Sequence, residues 1–240
     1  MVKPADLLFT QGFGTRRECA ALVANGWLEV EGLGVVDDFE RELDAAGPLR
    51  FRVRGGARWP YRERALVVLN KPAGYECSLK PRHHASVLSL LPAPLRRRGV
   101  QAIGRLDEDT TGGLLFTDDG ALVHRLTSPR YHVAKVYEVT CKHPVDERQI
   151  DRLREGVLLH DENETVRAAA CEATGERELR LTLTEGKYHQ VKRMIAAVGN
   201  RVDALSRSAF GAFALGGLLP GAWRWPDENE VAALTEILRR

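Results

Sequence analysis

Long apolar runs are absent from this 240-residue sequence, and none approaches the roughly 20 residues that a membrane-spanning helix needs. The first residues, Met-Val-Lys-Pro-Ala-Asp, also lack the apolar core of a signal peptide. These two absences argue against a membrane-embedded or exported protein. We therefore expect a protein that works in the cytoplasm.

Cysteine is scarce as well, the four being Cys19, Cys77, Cys141 and Cys171. They are too far apart for a paired metal-ligand motif, and their spacing does not indicate a disulfide framework. Free thiols in a reducing compartment are therefore expected. The sequence also lacks a convincing dinucleotide fingerprint and a metal-ligand cluster, so we expect no cofactor.

Neither sign of charge is in excess. The chain has 35 Lys and Arg residues against 33 Asp and Glu residues, a formal net charge of +2. Overall charge therefore gives only weak support for a nucleic-acid partner. Hydrophobic residues make up 44% of the chain, which is enough for a genuine core. This length fits one large domain, or a small domain joined to a medium one.

Changes of composition along the chain predict two domains. Residues 1–55 have the pattern of a small module of helices and short strands, and residues 56–64 that of a linker with Gly and Pro. Residues 65–240 form the predicted larger domain. Its strand and helix patterns mix without regular alternation, which favours an α+β fold over a doubly wound sheet.

Local signals predict the position of several elements. Thr15 and Glu18 have the spacing of a capping box at a helix start, and Asn25-Gly26 is typical of a helix end. Alternation predicts a strand over 27–32, and apolar residues at helical spacing predict a helix over 188–198. In the larger domain, apolar or alternating runs predict strands over 65–69, 101–106, 113–116, 135–140 and 179–184.

Three acids stand together directly after one of these predicted strands. They are Asp107, Glu108 and Asp109. Loop positions just past a strand often carry function, because the sheet holds them rigidly. A solvated acidic turn is the simpler interpretation, and composition alone does not decide between the two.

Two other segments bring cations and aromatic rings together. Lys135 and Tyr137 are two positions apart on a predicted strand, and therefore on the same face. Residues 185–195, Glu-Gly-Lys-Tyr-His-Gln-Val-Lys-Arg-Met-Ile, place cationic and hydrogen-bonding groups at a helix start. The alternatives are a partly buried tyrosine and an exposed basic helix face, and either segment alone fits them.

Taken together, these segments resemble the motifs of pseudouridine synthases. The three motifs are Gly-Arg-Leu-Asp at 104–107 followed by Thr-Thr-Gly, then residues 127–137, and then residues 185–199. Residues 70–78 and 86–92 resemble segments of the RsuA branch, whose members modify small-subunit ribosomal RNA. The resemblance implies a catalytic domain with a mixed, largely antiparallel sheet flanked by helices.

This resemblance also implies roles for individual residues. Asp107 is the catalytic carboxylate, and Tyr137 stacks on the target base. Lys192 supplies the cation beside Asp107, because an opposite charge within about 4–6 Å favours the ionised form of a carboxyl group. Arg193 is the competitor, but neighbouring helical side chains diverge by about 100°, so only one of them should face Asp107. Arg105 holds the nucleotide once it is flipped out of the stack.

The first module resembles the S4 RNA-binding domain through residues 14–32. Residues 1–60 hold eight Lys or Arg against nine Asp or Glu, so counterion release by this module should be modest. Positive charge is concentrated instead over residues 80–105, which hold six Lys or Arg and no acid. The candidates for RNA contact are Arg16, Arg17, Arg96, Arg97, Arg98, Arg105 and Arg193.

The sequence therefore predicts a monomeric isomerase of ribosomal RNA that needs no cofactor. The expected target is uridine 516 of 16S rRNA, in a small-subunit assembly intermediate. Two alternatives remain open: a large-subunit enzyme of the same family, and a non-catalytic ribosome-assembly protein of S4 type. A glycoside hydrolase using Asp107 and Asp109 is a third, but it leaves the basic helix start at 185–195 unexplained.

Overall fold

A computed structural model describes residues 1–160 and 162–239 of the chain. The chain divides into two compact units. The first comprises Met1–Ala65 together with Leu91–Gln101, and the second comprises Leu66–Leu90 together with the chain from Ala102 onward. In the described part of the chain, no helix combines the length and the apolar character needed to cross a membrane.

The first unit joins three helices to a four-stranded antiparallel sheet of order β2-β1-β3-β4. Thr15 and Glu18 form the predicted capping box at the start of the second helix, and Gly26 follows its end with φ +65°. Its elements are α1 (Pro4–Thr10), α2 (Arg16–Ala24), β1 (Leu28–Val30), β2 (Gly34–Val35), β3 (Arg50–Val53), β4 (Trp59–Pro60) and α3 (Ala93–Arg97).

The boundaries of the first unit differ from those predicted. Residues 56–64, the predicted linker, contribute β4 to the sheet, and residues 91–101, predicted to lie in the larger domain, pack in the first unit. Leu95 is fully buried there. The Arg98 guanidinium donates hydrogen bonds to Gln11 Oε1 at 2.8 Å and to the Arg62 carbonyl oxygen at 2.9 Å. These contacts are distant in sequence, so a linear pattern cannot reveal them.

The second unit is built on a mixed sheet of nine strands. The main path has the order β13-β14-β10-β15-β9-β5-β17, with β16 paired to β15 and β8 paired to β9. The strands of this unit are β5 (Leu66–Lys71), β6 (Tyr75–Glu76), β7 (Ala85–Ser86), β8 (Gln101–Ile103), β9 (Thr111–Thr117), β10 (Lys135–Cys141), β11 (Val157–Leu158), β12 (Thr165–Val166), β13 (Ala170–Ala173), β14 (Glu178–Leu183), β15 (Val202–Phe210), β16 (Phe213–Ala214) and β17 (Trp223–Arg224).

The α+β fold is confirmed, and the sheet is largely antiparallel as expected. All five strands predicted for the larger domain are present, with bounds shifted by up to three residues. Within the nine-stranded sheet, the pairing of β9 with β15 is parallel. Its helices are α4 (Gly120–Thr127), α5 (Glu147–Glu155), α6 (Gln190–Ala197) and α7 (Glu228–Arg239), with 3-10 turns at Val87–Leu90 and Pro129–Tyr131.

A hydrophobic core anchors the strands that surround the catalytic motifs. Ile103 of β8, Leu115 of β9 and Phe210 of β15 are buried in the same cluster as Leu122 of α4. The α4 helix is capped by Asp119, whose carboxylate accepts hydrogen bonds from two backbone N–H groups of the first turn. This packing holds the loop between β8 and β9 from both ends, since those two strands are hydrogen-bonded neighbours.

The β9–β15 contact is closer than a side chain would allow. Gly112 has φ +109°, and a Cβ at this position would collide with the backbone of Arg207. Only glycine meets both demands without strain. The Thr-Thr-Gly segment after Asp107 therefore brings the loop that precedes β9 directly against β15.

Candidate active site

An open pocket in the second unit collects the three catalytic-motif segments. Asp107, Tyr137 and Lys192 all line it, as does Arg105. The loop 104–110, strands β10 and β15 and the turn before α6 all line it. We call three of its buried polar side chains, Thr110, Lys135 and Arg207, the floor of the pocket. Residues that are widely separated in the sequence thus face one cavity.

Asp107 has two nitrogen-bearing neighbours from the start of α6. His189 Nε2 lies 3.2 Å from Oδ1, and Lys192 Nζ lies 3.3 Å from Oδ2. The Asp107 side chain keeps 32% of its surface exposed. The carboxylate is therefore held on one side and open to a substrate on the other.

Lys192 also binds a second carboxylate. Its Nζ donates to the two oxygens of Asp109 at 2.7 and 2.9 Å. Burial lowers the pKa of Lys192, but the hydrogen bonds and charges of Asp109 and Asp107 outweigh burial and hold the pKa above its ordinary value. The hydrogen bond from Lys192 in turn holds the pKa of Asp109 below its usual range. The Asp109 contact was not anticipated from the sequence.

Arg193 points elsewhere. Its Nη1 donates to the Tyr188 carbonyl oxygen at 3.2 Å and lies 3.7 Å from a Glu162 carboxylate oxygen. The divergence of adjacent side chains on α6 separates the two cations. Of these two neighbouring cations, Lys192 is thus the one beside Asp107.

The turn before α6 positions His189. This residue has φ +46°, a left-handed conformation that is uncommon for a non-glycine residue and is found at functional sites. Buried Gln190 holds the turn, because its amide donates to Glu185 Oε1 at 2.7 Å and its Oε1 accepts from the Lys187 backbone N–H at 2.9 Å. The helical pattern predicted over 188–198 therefore begins only at Gln190, and the pattern did not single out His189.

A buried lysine holds the catalytic loop from below. Lys71, at the end of β5, is fully buried, and its ammonium donates to the carbonyl oxygens of Glu108 and Thr110, each at 2.9 Å, and of Pro72 at 3.1 Å. Three acceptors satisfy its three N–H groups. Burial lowers the pKa of Lys71. A charged residue that ends an apolar strand was the available signal for this contact.

Lys135 and Tyr137 lie on the same face of β10, as their spacing predicted. Both are buried and line the pocket. The Lys135 ammonium donates to the Val133 carbonyl oxygen at 2.8 Å and lies 5.2 Å from the centre of the Phe210 ring. Burial, aided by the nearby charge of Arg207, lowers the pKa of Lys135 to about 8.

The other candidates for RNA contact are divided between the two units. In the first unit, Arg17 and Arg96 are exposed, whereas Arg16 pairs with Asp6 at 2.8 Å and Arg97 Nη1 donates to the Phe13 carbonyl oxygen at 3.2 Å. In the second unit, Arg105 is an exposed residue of the pocket rim. Arg98 binds protein carbonyls, as described above, so its guanidinium is already engaged.

Similarity to known proteins agrees with this constellation. Residues 65–197 match the family described as RNA pseudouridylate synthase. Ribosomal small subunit pseudouridine synthase A of Salmonella typhimurium is 46% identical over 168 residues, which cover 70% of this chain and 72% of that protein. The uncharacterized RNA pseudouridine synthase YtzG of Bacillus subtilis is 37% identical over 235 residues, which cover 96% of this chain and 97% of that protein.

A solved structure extends the similarity to three dimensions. A crystal structure of a pseudouridylate synthase superposes with a TM-score of 0.68 at 30% identity, covering 98% of this chain and 100% of that one. The family match alone spans more than half of the sequence. This chain therefore belongs to the RNA pseudouridine synthase family, and it is an isomerase that converts uridine to pseudouridine.

Proposed function

We propose that this isomerase modifies small-subunit ribosomal RNA, at the position equivalent to uridine 516 of 16S rRNA. The relatives with 44–46% identity all carry the name ribosomal small subunit pseudouridine synthase A, which supports the RsuA branch. The proposed substrate is the rRNA of a small-subunit assembly intermediate. The proposed enzyme acts as a cytoplasmic monomer without a cofactor.

The observation that carries the catalytic assignment is the position of Asp107 between His189 and Lys192 in the pocket. Isomerisation breaks the bond between the sugar and N1 of the base and then joins the sugar to C5. A positioned carboxylate can attack the sugar or stabilise its developing positive charge, as in glycosidases. Asp107 is the proposed catalytic carboxylate, and Lys192 is its proposed cationic partner, with Nζ 3.3 Å from Oδ2.

Tyr137 and Arg105 receive supporting roles in this proposal. Tyr137 lines the pocket and is the proposed stacking partner of the target base. Arg105 is exposed at the rim, where a cation can hold the backbone of a nucleotide that has left the helical stack. The first unit, with its S4-like sequence, is the proposed second RNA contact, through Arg16, Arg17, Arg96 and Arg97.

A strain that lacks the gene provides the test. Its ribosomal RNA is treated with carbodiimide, and persistent adducts are mapped as stops of reverse transcription. We expect one stop in small-subunit rRNA to disappear and to return with the parental gene. Loss of a large-subunit stop instead would identify the alternative target, and an unchanged pattern would indicate a non-catalytic assembly role.

Complementation with Asp107→Asn tests the catalytic assignment. The substitution keeps the side-chain shape and removes its charge, so we expect no pseudouridine at the target and unchanged RNA affinity of the purified protein. Asp109→Asn is the matched control, because it removes one partner of Lys192 but leaves Asp107 in place. A turnover of Asp107→Asn within tenfold of the parent would refute the assignment.

A further inference from the structure

Two buried polar atoms in the pocket have no hydrogen-bond partner. They are Thr110 Oγ1 and Arg207 Nη2. Both side chains belong to residues that are only 2% exposed, and both line the pocket that contains Asp107 and Tyr137. Buried polar groups are almost always hydrogen-bonded, so two such orphans in one pocket mark a place where a ligand supplies the partner.

The protein holds both groups in place. Arg207 Nε donates to the Gly113 carbonyl oxygen at 2.8 Å, and the guanidinium lies 5.1 Å from the centre of the Phe210 ring. Lys71 binds the Thr110 carbonyl oxygen from below at 2.9 Å. The Arg207 guanidinium and the Thr110 backbone therefore need not reorganise when a substrate arrives, which is the property that makes such groups effective in catalysis.

The surroundings favour a negatively charged partner. Lys135 and Arg207 are both buried beside the Phe210 ring, and within the described residues neither forms a salt bridge with a carboxylate. The positive charge at the pocket floor is therefore not neutralised by a direct ion pair. An anion that contacts these two cations would be stabilised, because Lys135 and Arg207 are themselves buried and charges interact more strongly away from water.

The shape of the site selects which part of an RNA can reach it. A phosphodiester continues into RNA on both sides and cannot enter a floor that is almost completely buried. A flipped base is attached to the RNA at one point only, through its sugar, so it can reach these buried groups. Its carbonyl oxygens O2 and O4 are hydrogen-bond acceptors that suit an arginine N–H and a threonine hydroxyl.

We propose that Arg207 Nη2 and Thr110 Oγ1 donate hydrogen bonds to the uracil after it detaches, with Lys135 adding positive charge to the floor. The proposal rests on the isomerase activity of this chain. When the bond from C1′ to N1 breaks, its electron pair stays on the base, which becomes the uracil anion, and the electron-poor C1′ is attacked or stabilised by the Asp107 carboxylate. The turned base then forms the bond from C5 to C1′, and the proton lost from C5 balances the proton gained by N1. The floor would stabilise this anion while it turns.

The test compares two leaving bases in single-turnover reactions. A small-subunit rRNA fragment carries either uridine or 5-fluorouridine at the target, and loss of the starting nucleoside is followed by chromatography after digestion. This readout reports cleavage of the C1′–N1 bond for both bases, whereas the final loss of a proton from C5 is open only to uridine. Fluorine withdraws electrons and stabilises the base anion, so the floor donors should matter less. For uridine, we expect Arg207→Met to slow the reaction about 100-fold and Thr110→Val about tenfold. Both factors should be several-fold smaller for 5-fluorouridine.

Stability separates this role from a structural one. Thr110→Val removes a buried hydroxyl without a partner, so its melting temperature should equal or exceed that of the parent, although its turnover falls. Thr111→Val is the matched control, because that hydroxyl already donates to the Leu205 carbonyl oxygen at 3.4 Å. It should leave the ratio between the two substrates unchanged. Arg207→Lys should recover part of the uridine rate.

Equal slowing of both substrates would overturn the proposal. So would Thr110→Val with parental activity, or variants that weaken RNA affinity but keep the single-turnover rate, which would indicate a phosphate contact. These results are distinct from failure of the proposed target. If the enzyme modifies another RNA, the same substitutions are compared on a fragment of that RNA, and the floor proposal stands or falls there.

Discussion

Lys192 connects two carboxylates, and both are partly open to solvent. The Asp109 side chain is 62% exposed and that of Asp107 is 32% exposed. Ion pairs with this exposure contribute little to folding, commonly about 1 kcal/mol or less. The pair is therefore better suited to orienting Asp107 than to stabilising the domain.

Activity and stability should respond differently at positions 192 and 193. We expect Lys192→Met to reduce turnover about 100-fold or more, because the cation beside Asp107, the proposed catalytic carboxylate, is lost. Its free energy of unfolding should fall by about 1 kcal/mol or less. Arg193→Met should retain most activity, because Arg193 binds the Tyr188 carbonyl oxygen rather than Asp107. Turnover assays and urea denaturation measure the two effects, and a larger loss of activity for Arg193→Met would contradict the assignment.

Lys135 makes a prediction about pH. Its folded pKa of about 8 is depressed from 10.5 by burial. Between these values the unfolded chain binds the proton and the folded protein does not, so stability rises with pH. We expect the parent to gain roughly 2 kcal/mol relative to Lys135→Met between pH 7.5 and pH 10. Denaturation of both proteins at the two pH values measures this difference. An equal change in the free energy of unfolding for the parent and for Lys135→Met would refute the prediction.

At the scale of elements, the conformation of the loop between β8 and β9 depends on Lys71, the last residue of strand β5. Lys71→Met should remove a donor from three carbonyl oxygens of this region, although that of Glu108 still accepts from the Gly74 backbone N–H at 3.1 Å. We expect a loss of about 2–4 kcal/mol in the free energy of unfolding and a lower turnover in the remaining folded protein. Lys80→Met, at an exposed position, is the control and should change neither. Circular dichroism during denaturation and a turnover assay give the two measurements.

The sequence predicted elements whose signals are local. The capping box of Thr15 and Glu18 and the alternating strand that carries Lys135 were recognisable, because each signal lies within a few residues. The delayed start of α6 was missed, since the left-handed turn at His189 depends on contacts of Gln190 with its surroundings. Arg207 was missed for a related reason: its place in the pocket follows from strand order, which spacing along the chain does not reveal.

At the scale of the whole molecule, the basic run at 80–105 is divided between the two units. Deleting residues 1–55 would therefore remove packing partners of α3 and is not a clean test of RNA binding. Two double variants make a matched comparison, Arg96→Gln with Arg97→Gln, and Arg16→Gln with Arg17→Gln. Each removes two charges from the first unit.

We expect the Arg96 and Arg97 pair to have the larger effect, because Arg16 is paired with the negative charge of Asp6, whereas the Phe13 carbonyl oxygen that Arg97 binds carries no net charge. If both arginines contact phosphates, the slope of log affinity against log salt should flatten by about two units. Filter binding of an rRNA fragment over a salt series measures the slope. An unchanged slope would mean that these side chains form only a solvated surface.

Arg98→Gln should instead destabilise the first unit, because it removes hydrogen bonds to Gln11 and to the carbonyl oxygens of residues 62 and 63.

The close approach of Gly112 to Arg207 also bears on when the pocket is completed during folding. The hydrogen bond from Arg207 to Gly113 joins positions 94 residues apart. Contacts between residues this far apart in sequence form late, because a large loop must first close, at a cost in conformational entropy, before the contact can contribute stability. The loop 104–110 can therefore acquire its local structure early in synthesis, whereas the pocket floor cannot form until β15 has been synthesised. A growing chain therefore has no complete pocket until β15 has been made, because Leu205, Arg207 and Phe210 of that strand line it.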